Sequence, residues 1–253
     1  EGQIREQLIE SDGKWEKWGF NTDGLGEAKG EELYSTLFSY KPIEWNRIGA
    51  FQDVTMRLIA ERLLPVEQLT AGGGKTYIKG EMSQQKVKVG SPSAKAGHQF
   101  HVYCSEHVEG VVEIMRELSD DKKCEVLTTQ NIEQLPLCDH FLVYLHGKTW
   151  TSGEASEKFA AEVRKAMDAG VNILLVHEMI GVGGQKERFG CEFGDFFRSP
   201  PDGTPNDLLQ RGIYATIAVA MRGGVWRQAS MVMLAQALAV KEEDAGGGKK
   251  APS

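Results

Sequence analysis

No apolar run in this chain approaches the ~18 residues that a membrane-spanning helix needs. No membrane role is therefore indicated for this stretch. Cysteine is scarce too. Cys104, Cys124, Cys138 and Cys191 show no C-x-x-C spacing, which excludes the common zinc and dithiol motifs. Three of the four lie in or beside apolar runs, so buried, reduced thiols and a cytoplasmic setting are expected. Positive charge is not in excess. Lys and Arg number 29 against 36 Asp and Glu, a net charge of −7. Binding nucleic acid needs a concentrated basic face, so no nucleic-acid partner is expected.

Two further motifs are missing. There is no H-E-x-x-H or equivalent spacing, and isolated histidines at strand ends do not make a metal site. Gly72-Gly-Gly-Lys75-Thr76 suggests a phosphate loop, but the glycine required five residues before the Gly-Lys pair is Leu69. The chain begins at Glu1 rather than methionine. A piece of a longer or processed protein is expected, with any targeting segment outside it.

What is present is an ordinary globular composition, 41% hydrophobic and 26% charged over 253 residues. Four regions are expected: a helical N-terminal extension over 1–70, a Gly/Lys/Ser-rich linker over 71–97, an α/β domain over 98–240 and a low-complexity tail over 241–253. In the extension, residues 31–40 form a short helix ending before Pro42. Residues 50–64 form an amphipathic helix with Phe51, Val54, Leu58, Ile59 and Leu63 near one stripe, stopped by Pro65. That stripe needs a surface to cover, either the α/β domain or a second copy.

From residue 98 strands alternate with helices. Strands are predicted at Gln99–Cys104, Glu125–Thr129, His140–Leu145, Val171–His177 and around Ile213–Ala220. Helices are predicted over about 108–118, 152–169 and 226–239. This pattern gives a five-stranded parallel sheet, most simply in the flavodoxin-like order 2-1-3-4-5. Ligands of such sheets bind beyond the carboxyl ends of the strands. Those ends carry Ser105, Glu106 and His107, then His146, Lys148 and Trp150, then His177 and Glu178.

The helix at 152–169 has one misplaced charge. At ~100° per residue, Phe159, Val163, Ala166 and Met167 form its apolar stripe, and most charged residues fall opposite. Glu162 lies about 80° from the stripe's centre, among Ala155, Ala166 and Ala169. It is either a boundary residue that reaches solvent or a basic partner, or a functional carboxylate. Thr151-Ser-Gly-Glu154 fits a capping box at the helix start, and Gly170 fits its stop. The connection over 178–212 is long for a simple loop. It holds Gly181-Val-Gly-Gly184, the aromatic stretch Cys191–Phe197 and a second capping pattern, Thr204-Pro-Asn-Asp207. It reads as a lid over the strand ends or as a packing insertion.

The run HFLVYLHGKTWTSG followed by EKFAAEVRKAMDAGVNILLVH resembles the Toll/interleukin-1 receptor (TIR) domain. Residues 98–240 follow the order of elements in that family. Where the family often carries tryptophan and cysteine before its helix glutamate, this chain has Lys158 and Phe159. Only Gln130–Asp139 fills the usually longer loop after strand two. The resemblance implies a signalling or assembly module that acts through other protein subunits or self-association, with a nucleotide as candidate ligand. No cofactor is required. In NAD-consuming members the glutamate at the position of Glu162 is catalytic. The alternative implied is thus an NAD glycohydrolase with Glu162 as its carboxylate. Ser105, Trp150, Ser152, Gly181, Gly183 and Gly184 are the candidates to contact the nucleotide, Trp150 by stacking and the glycines through backbone amides facing phosphate.

Overall fold

In the computed structural model the described residues are 2–12, 14, 17, 29–39, 43–65, 78–93, 97–122, 124–181 and 188–239. The chain divides into two units, Glu1–Trp45 and Asn46–Ser253.

The smaller unit pairs two helices, α1 (Gly2–Glu10) and α2 (Lys29–Leu37). Their contact depends on Gly30, which is buried against the end of α1. A Cβ there would run into the Leu8 carbonyl, and the Gly30 amide donates to Asp12. Arg5 closes the pair with a fork of hydrogen bonds to Glu31 at 2.9–3.1 Å.

The larger unit is built on a parallel sheet of β1 (Phe100–Tyr103), β2 (Thr128–Thr129), β3 (Cys138–Leu145), β4 (Asn172–Glu178) and β5 (Val219–Met221). Its order is β2-β1-β3-β4-β5 with every pair parallel, the order expected from the alternation. β3 and β4 are nearly continuous apolar runs because helices cover both faces. The helices are α4 (Val111–Lys122), α5 (Glu154–Asp168), the short α6 (Asn206–Gln210) and α7 (Arg227–Ala239). Side chains alternate between faces along a strand. Tyr103 and its Cα partner Phe141 face α5, with Phe141 5.9 Å from Phe159. Tyr144, three residues beyond Phe141, faces the other way, where its hydroxyl meets Glu178.

Helix α3 (Gly49–Leu63) packs on this unit and not on a separate body. Phe51 and Val54 are buried against Trp226 and Ala229. The predicted stripe runs only halfway along the helix. Leu63 is 78% exposed, because α3 extends past the surface it covers before Pro65 ends it. Residues 78–93 follow the same surface. Glu81, fully buried, is held by Arg57 at 3.1 Å and by the amide of Ile78. No helix among the described residues is long and apolar enough to cross a membrane.

Two strands differ from their predicted extents. β2 shrinks to two residues because the His101 ring takes over part of the ladder, with Nδ1 accepting the Leu127 amide at 2.9 Å. β5 begins at Val219, not Ile213. Only part of the apolar run before it serves packing. Ile213 is buried beyond α6, Tyr214 is hydrogen-bonded, and Ile217 is 98% exposed. Both predicted capping boxes are also absent. Thr151 donates to the Gly147 carbonyl and Glu154 pairs with Lys158, leaving Gly153, at φ 59°, to begin α5. Thr204 bonds the Tyr214 hydroxyl, and Asp207 accepts a two-pronged bond from Arg164. A capping box does form at Glu192 and Asp195, opening the 3₁₀ turn Phe193–Phe197. The stop at Gly170 is as expected. Val171 donates to the Ala166 carbonyl and Gly170 to that of Met167, the paired bonds of a left-handed helix end.

Candidate functional site

The helical pattern that left Glu162 off the apolar stripe brings it beneath the carboxyl end of β1. Phe159, Val163 and Ala166 are buried and fix the rotation of α5. That rotation turns Glu162 toward Tyr103, the last residue of β1, whose hydroxyl donates to Oε1 at 3.0 Å. The ring of Tyr103 stacks on Phe141 at 5.1 Å, so the donor is firmly placed. His107 approaches the same oxygen, with Nε2 3.6 Å from Oε1. The loop that carries it is shaped by Ser105, fully buried, whose Oγ accepts the His107 amide at 3.1 Å. Oε2 of Glu162 is buried and has no hydrogen-bond donor among the described residues. The side chain as a whole is 14% exposed.

This makes an asymmetric carboxylate. One oxygen is anchored by a tyrosine and faced by a histidine, and the other is an acceptor without a donor. A buried acceptor left unmade costs about 1–3 kcal/mol. The Tyr103 phenol is pushed far above its ordinary range, by burial first and by the Glu162 charge second. It therefore stays protonated and remains a donor. The cluster thus keeps one unused acceptor, Oε2, which is closed off from solvent.

The other candidates lie elsewhere along the edge. Trp150 is buried at the start of α5, its indole N–H bound to the Tyr214 hydroxyl at 3.0 Å and its ring 5.1 Å from Phe159. It lines a cavity of about 520 Å³ with Gly153, Ser156, Pro200 and Pro205. Ser152 is exposed and bonds the Lys148 carbonyl. From Glu154 to Glu162 is about 12 Å along the helix axis at 1.5 Å per residue. Gly181 follows β4 with φ 109°, and a Cβ there would lie 3.8 Å from the Arg222 guanidinium. Two strand spacings, about 10 Å, separate β4 from β1. Gly183 and Gly184 lie outside the described residues. The structure thus joins Ser105 and Glu162 through His107, and leaves Trp150, Ser152 and Gly181 as separate points on the same edge.

A second group, whose Glu178 the sequence already placed at a strand end, sits at the switch point between β1 and β3, where such folds bind ligands. A cavity of about 430 Å³ there is lined by Glu109, Gly110, Glu117, Tyr144, Arg188 and Phe189. Behind it Glu178, fully buried, accepts from Tyr144 at 2.9 Å and from Arg227 at 3.1 Å. Burial raises the Glu178 carboxyl above its usual range, with Arg227 opposing. Arg227 also forks onto Glu117 at 2.7 and 2.8 Å. A charge closing an apolar strand was the signal for Glu178, but nothing in the local pattern pointed to Arg227.

The aromatic group of the long connection is mostly internal. Phe193, partly buried, and Phe196, buried, meet the His177 ring edge-on at 5.4 and 5.5 Å, and Phe197 is 55% exposed. The four cysteines are buried, and burial pushes the thiols of Cys104, Cys138 and Cys191 up to about 12. Among the described residues no three His, Cys, Asp or Glu side chains converge as a metal site. No family model matches the chain, and neither does any curated protein or solved structure.

Proposed function

We propose that this chain is a TIR-like signalling or assembly module that binds a nucleotide through Glu162 at the carboxyl edge of its sheet. The observation that carries the reading is the state of that carboxylate, with Oε1 anchored by Tyr103 and Oε2 buried without a donor. A ribose supplies hydroxyl donors for such an acceptor. The parallel sheet order and the position of α5 between β3 and β4 support the family resemblance. Apolar side chains outside the core support contact with another protein subunit, Met56, Leu63 and Leu64 toward the end of α3 and Phe197 beyond β4. The test is isothermal titration of the purified protein with NAD and with ADP-ribose. Hydrogen bonds to a charged group are worth about 1.5–3 kcal/mol, so Glu162→Gln should weaken binding by about ten- to a hundredfold. Equal affinity in wild type and variant would remove Glu162 from the site.

The same carboxylate favours a second reading, an NAD glycohydrolase. Cleavage of the nicotinamide–ribose bond leaves positive charge on the ribose, which an adjacent carboxylate stabilises. Nicotinamide departs as a neutral pyridine and needs no acid. The tyrosine that donates to Oε1 holds the carboxylate in place for that role. Chromatographic detection of nicotinamide should then show release by the wild type and none above background with Glu162→Ala. Release at the same rate by both proteins would end this reading.

A further inference from the structure

The cavity beside Trp150, about 520 Å³, lies between the start of α5 and the segment 200–206. Its two walls are cross-linked at two points. The Tyr214 hydroxyl accepts the Trp150 indole N–H at 3.0 Å and shares a hydrogen bond with the Thr204 hydroxyl at 2.6 Å. Arg164 of α5 grips Asp207 of α6 with two bonds, at 2.6 and 2.8 Å. The turn between them is tight, since a Cβ on Gly203 would run into the Arg198 carbonyl. Walls fixed in this way make a preformed cleft, so little freedom is lost when a ligand enters. The volume falls within the roughly 300–1,000 Å³ of small-molecule clefts.

The lining sets the chemistry. Trp150 is 5% exposed, with its ring 5.1 Å from Phe159, and Pro200, Pro201 and Pro205 line the opposite wall. These flat apolar rings suit a planar apolar group. The charged residues of the lining are Glu157 and Asp202, both exposed, and no Lys, Arg or His is among the described residues there. A phosphate or carboxylate would meet only acidic side chains. A cation would be drawn to both, and indole is the aromatic ring that best favours a positive charge beside it. We propose that this cleft is a binding site for a small organic cation built on a planar apolar ring, with the ring between Trp150 and the prolines and the charge near Glu157 and Asp202. The site is separate from Glu162 and does not depend on the reading of that residue.

The test titrates nitrogen-labelled protein with naphthylmethylammonium, and with naphthylmethanol and naphthoate as neutral and anionic counterparts of the same ring. The indole N–H resonances of the five tryptophans report where the ring goes, each identified by backbone connectivity. The Trp150 resonance should move with the cation and the others should not. Exposed ion pairs are individually weak, so the alcohol should bind about threefold more weakly than the cation and the anion at least about tenfold. Glu157→Gln combined with Asp202→Asn changes two surface positions and should bring the cation down to the affinity of the alcohol, with circular dichroism confirming the fold. A Trp150 resonance that none of the probes moves overturns the proposal. So does one affinity shared by all three probes, or a double variant that still prefers the cation as the wild type does.

Discussion

Arg227→Met is expected to destabilise the α/β unit by about 3–5 kcal/mol, the range found when one partner of a buried ion pair is removed. Methionine keeps the length and the apolar stem of the side chain but offers no donor. Glu178 would retain a single hydrogen bond, from Tyr144 at 2.9 Å, and lose both of its contacts with Arg227 Nη1 at 3.1 Å. Glu178 is fully buried, so water cannot replace them. Its carboxyl is already raised by burial against the opposing pull of Arg227. Without that cation it takes up a proton more readily. An acid whose folded pKa is raised adds most to stability below its unfolded pKa, and that contribution fades as pH rises through the folded value. The penalty in Arg227→Met should therefore be smallest in acid and grow toward neutral pH. Adding Glu178→Gln to the variant should recover part of the loss, because the neutral amide leaves no charge to bury. Urea unfolding at pH 5 and pH 8 measures both effects. A loss below about 1 kcal/mol at pH 8 would mean that the pair behaves as a surface ion pair does. Glu117 is the internal comparison. It holds the other side of Arg227 at 2.7 Å but is 28% exposed, so Glu117→Gln should cost much less.

Sequence periodicity was informative where one element met one broad surface. β3 and β4 were legible because strands covered on both faces are apolar throughout, and α5 because its stripe and Gly170 stop agree. It misled where an apolar or polar residue had a specific distant partner. Ile213 and Tyr214 looked like strand residues, yet one fills the space beyond α6 and the other joins Trp150 to Thr204. Thr151 and Thr204 had the spacing of helix caps, but each hydroxyl is bonded to another group, and a cap lost to a tertiary bond leaves no local trace. At the edge strand, pairing predicted over five residues was partly taken by the His101 ring, a side chain that strand propensity ignores.

The candidate site divides in the same way. That Glu162 would leave the solvent face follows from 100° steps along a single helix. Which group it would meet depends on the strand that lies over that helix and on the register of that strand. The Tyr103–Glu162 bond spans 59 residues and the Arg227–Glu178 bond 49. Neither is visible in local spacing. Once the sheet order places β1 beside β3, alternation puts Tyr103 and Phe141 on the side of α5. The topology was legible, and it brought together a pair that the sequence pattern did not.

Acid should weaken this fold steeply through His146. The imidazole is buried, with its Nδ1 accepting the Lys148 amide at 3.1 Å and its Nε2 donating to the Glu109 carbonyl at 3.1 Å. An amide can only donate and a carbonyl can only accept, so these partners define a neutral ring with its proton on Nε2. Protonating Nδ1 would set two donors against each other. The ring also lies between Tyr144 and Phe189, at 5.0 and 5.8 Å, where a charge is poorly solvated. Burial is the main reason that its pKa falls from 6.5 to about 4, with the Lys148 charge adding to the fall and Glu109 opposing it. A base with a depressed folded pKa contributes its full stability above the unfolded value and loses it as pH falls through the folded one. Between pH 6.5 and pH 4 the loss should reach about 3 kcal/mol, from about 1.4 kcal/mol for each tenfold change in proton activity. Other groups titrate in the same window, Glu178 in the opposite sense. The measurement is therefore a difference. Unfolding free energies of wild type and His146→Asn are compared at pH 7.5 and pH 4. The variant has no proton to exclude, so the wild-type advantage should shrink by about 3 kcal/mol across that interval. Parallel curves would mean that His146 titrates as freely in the folded protein as in the unfolded chain.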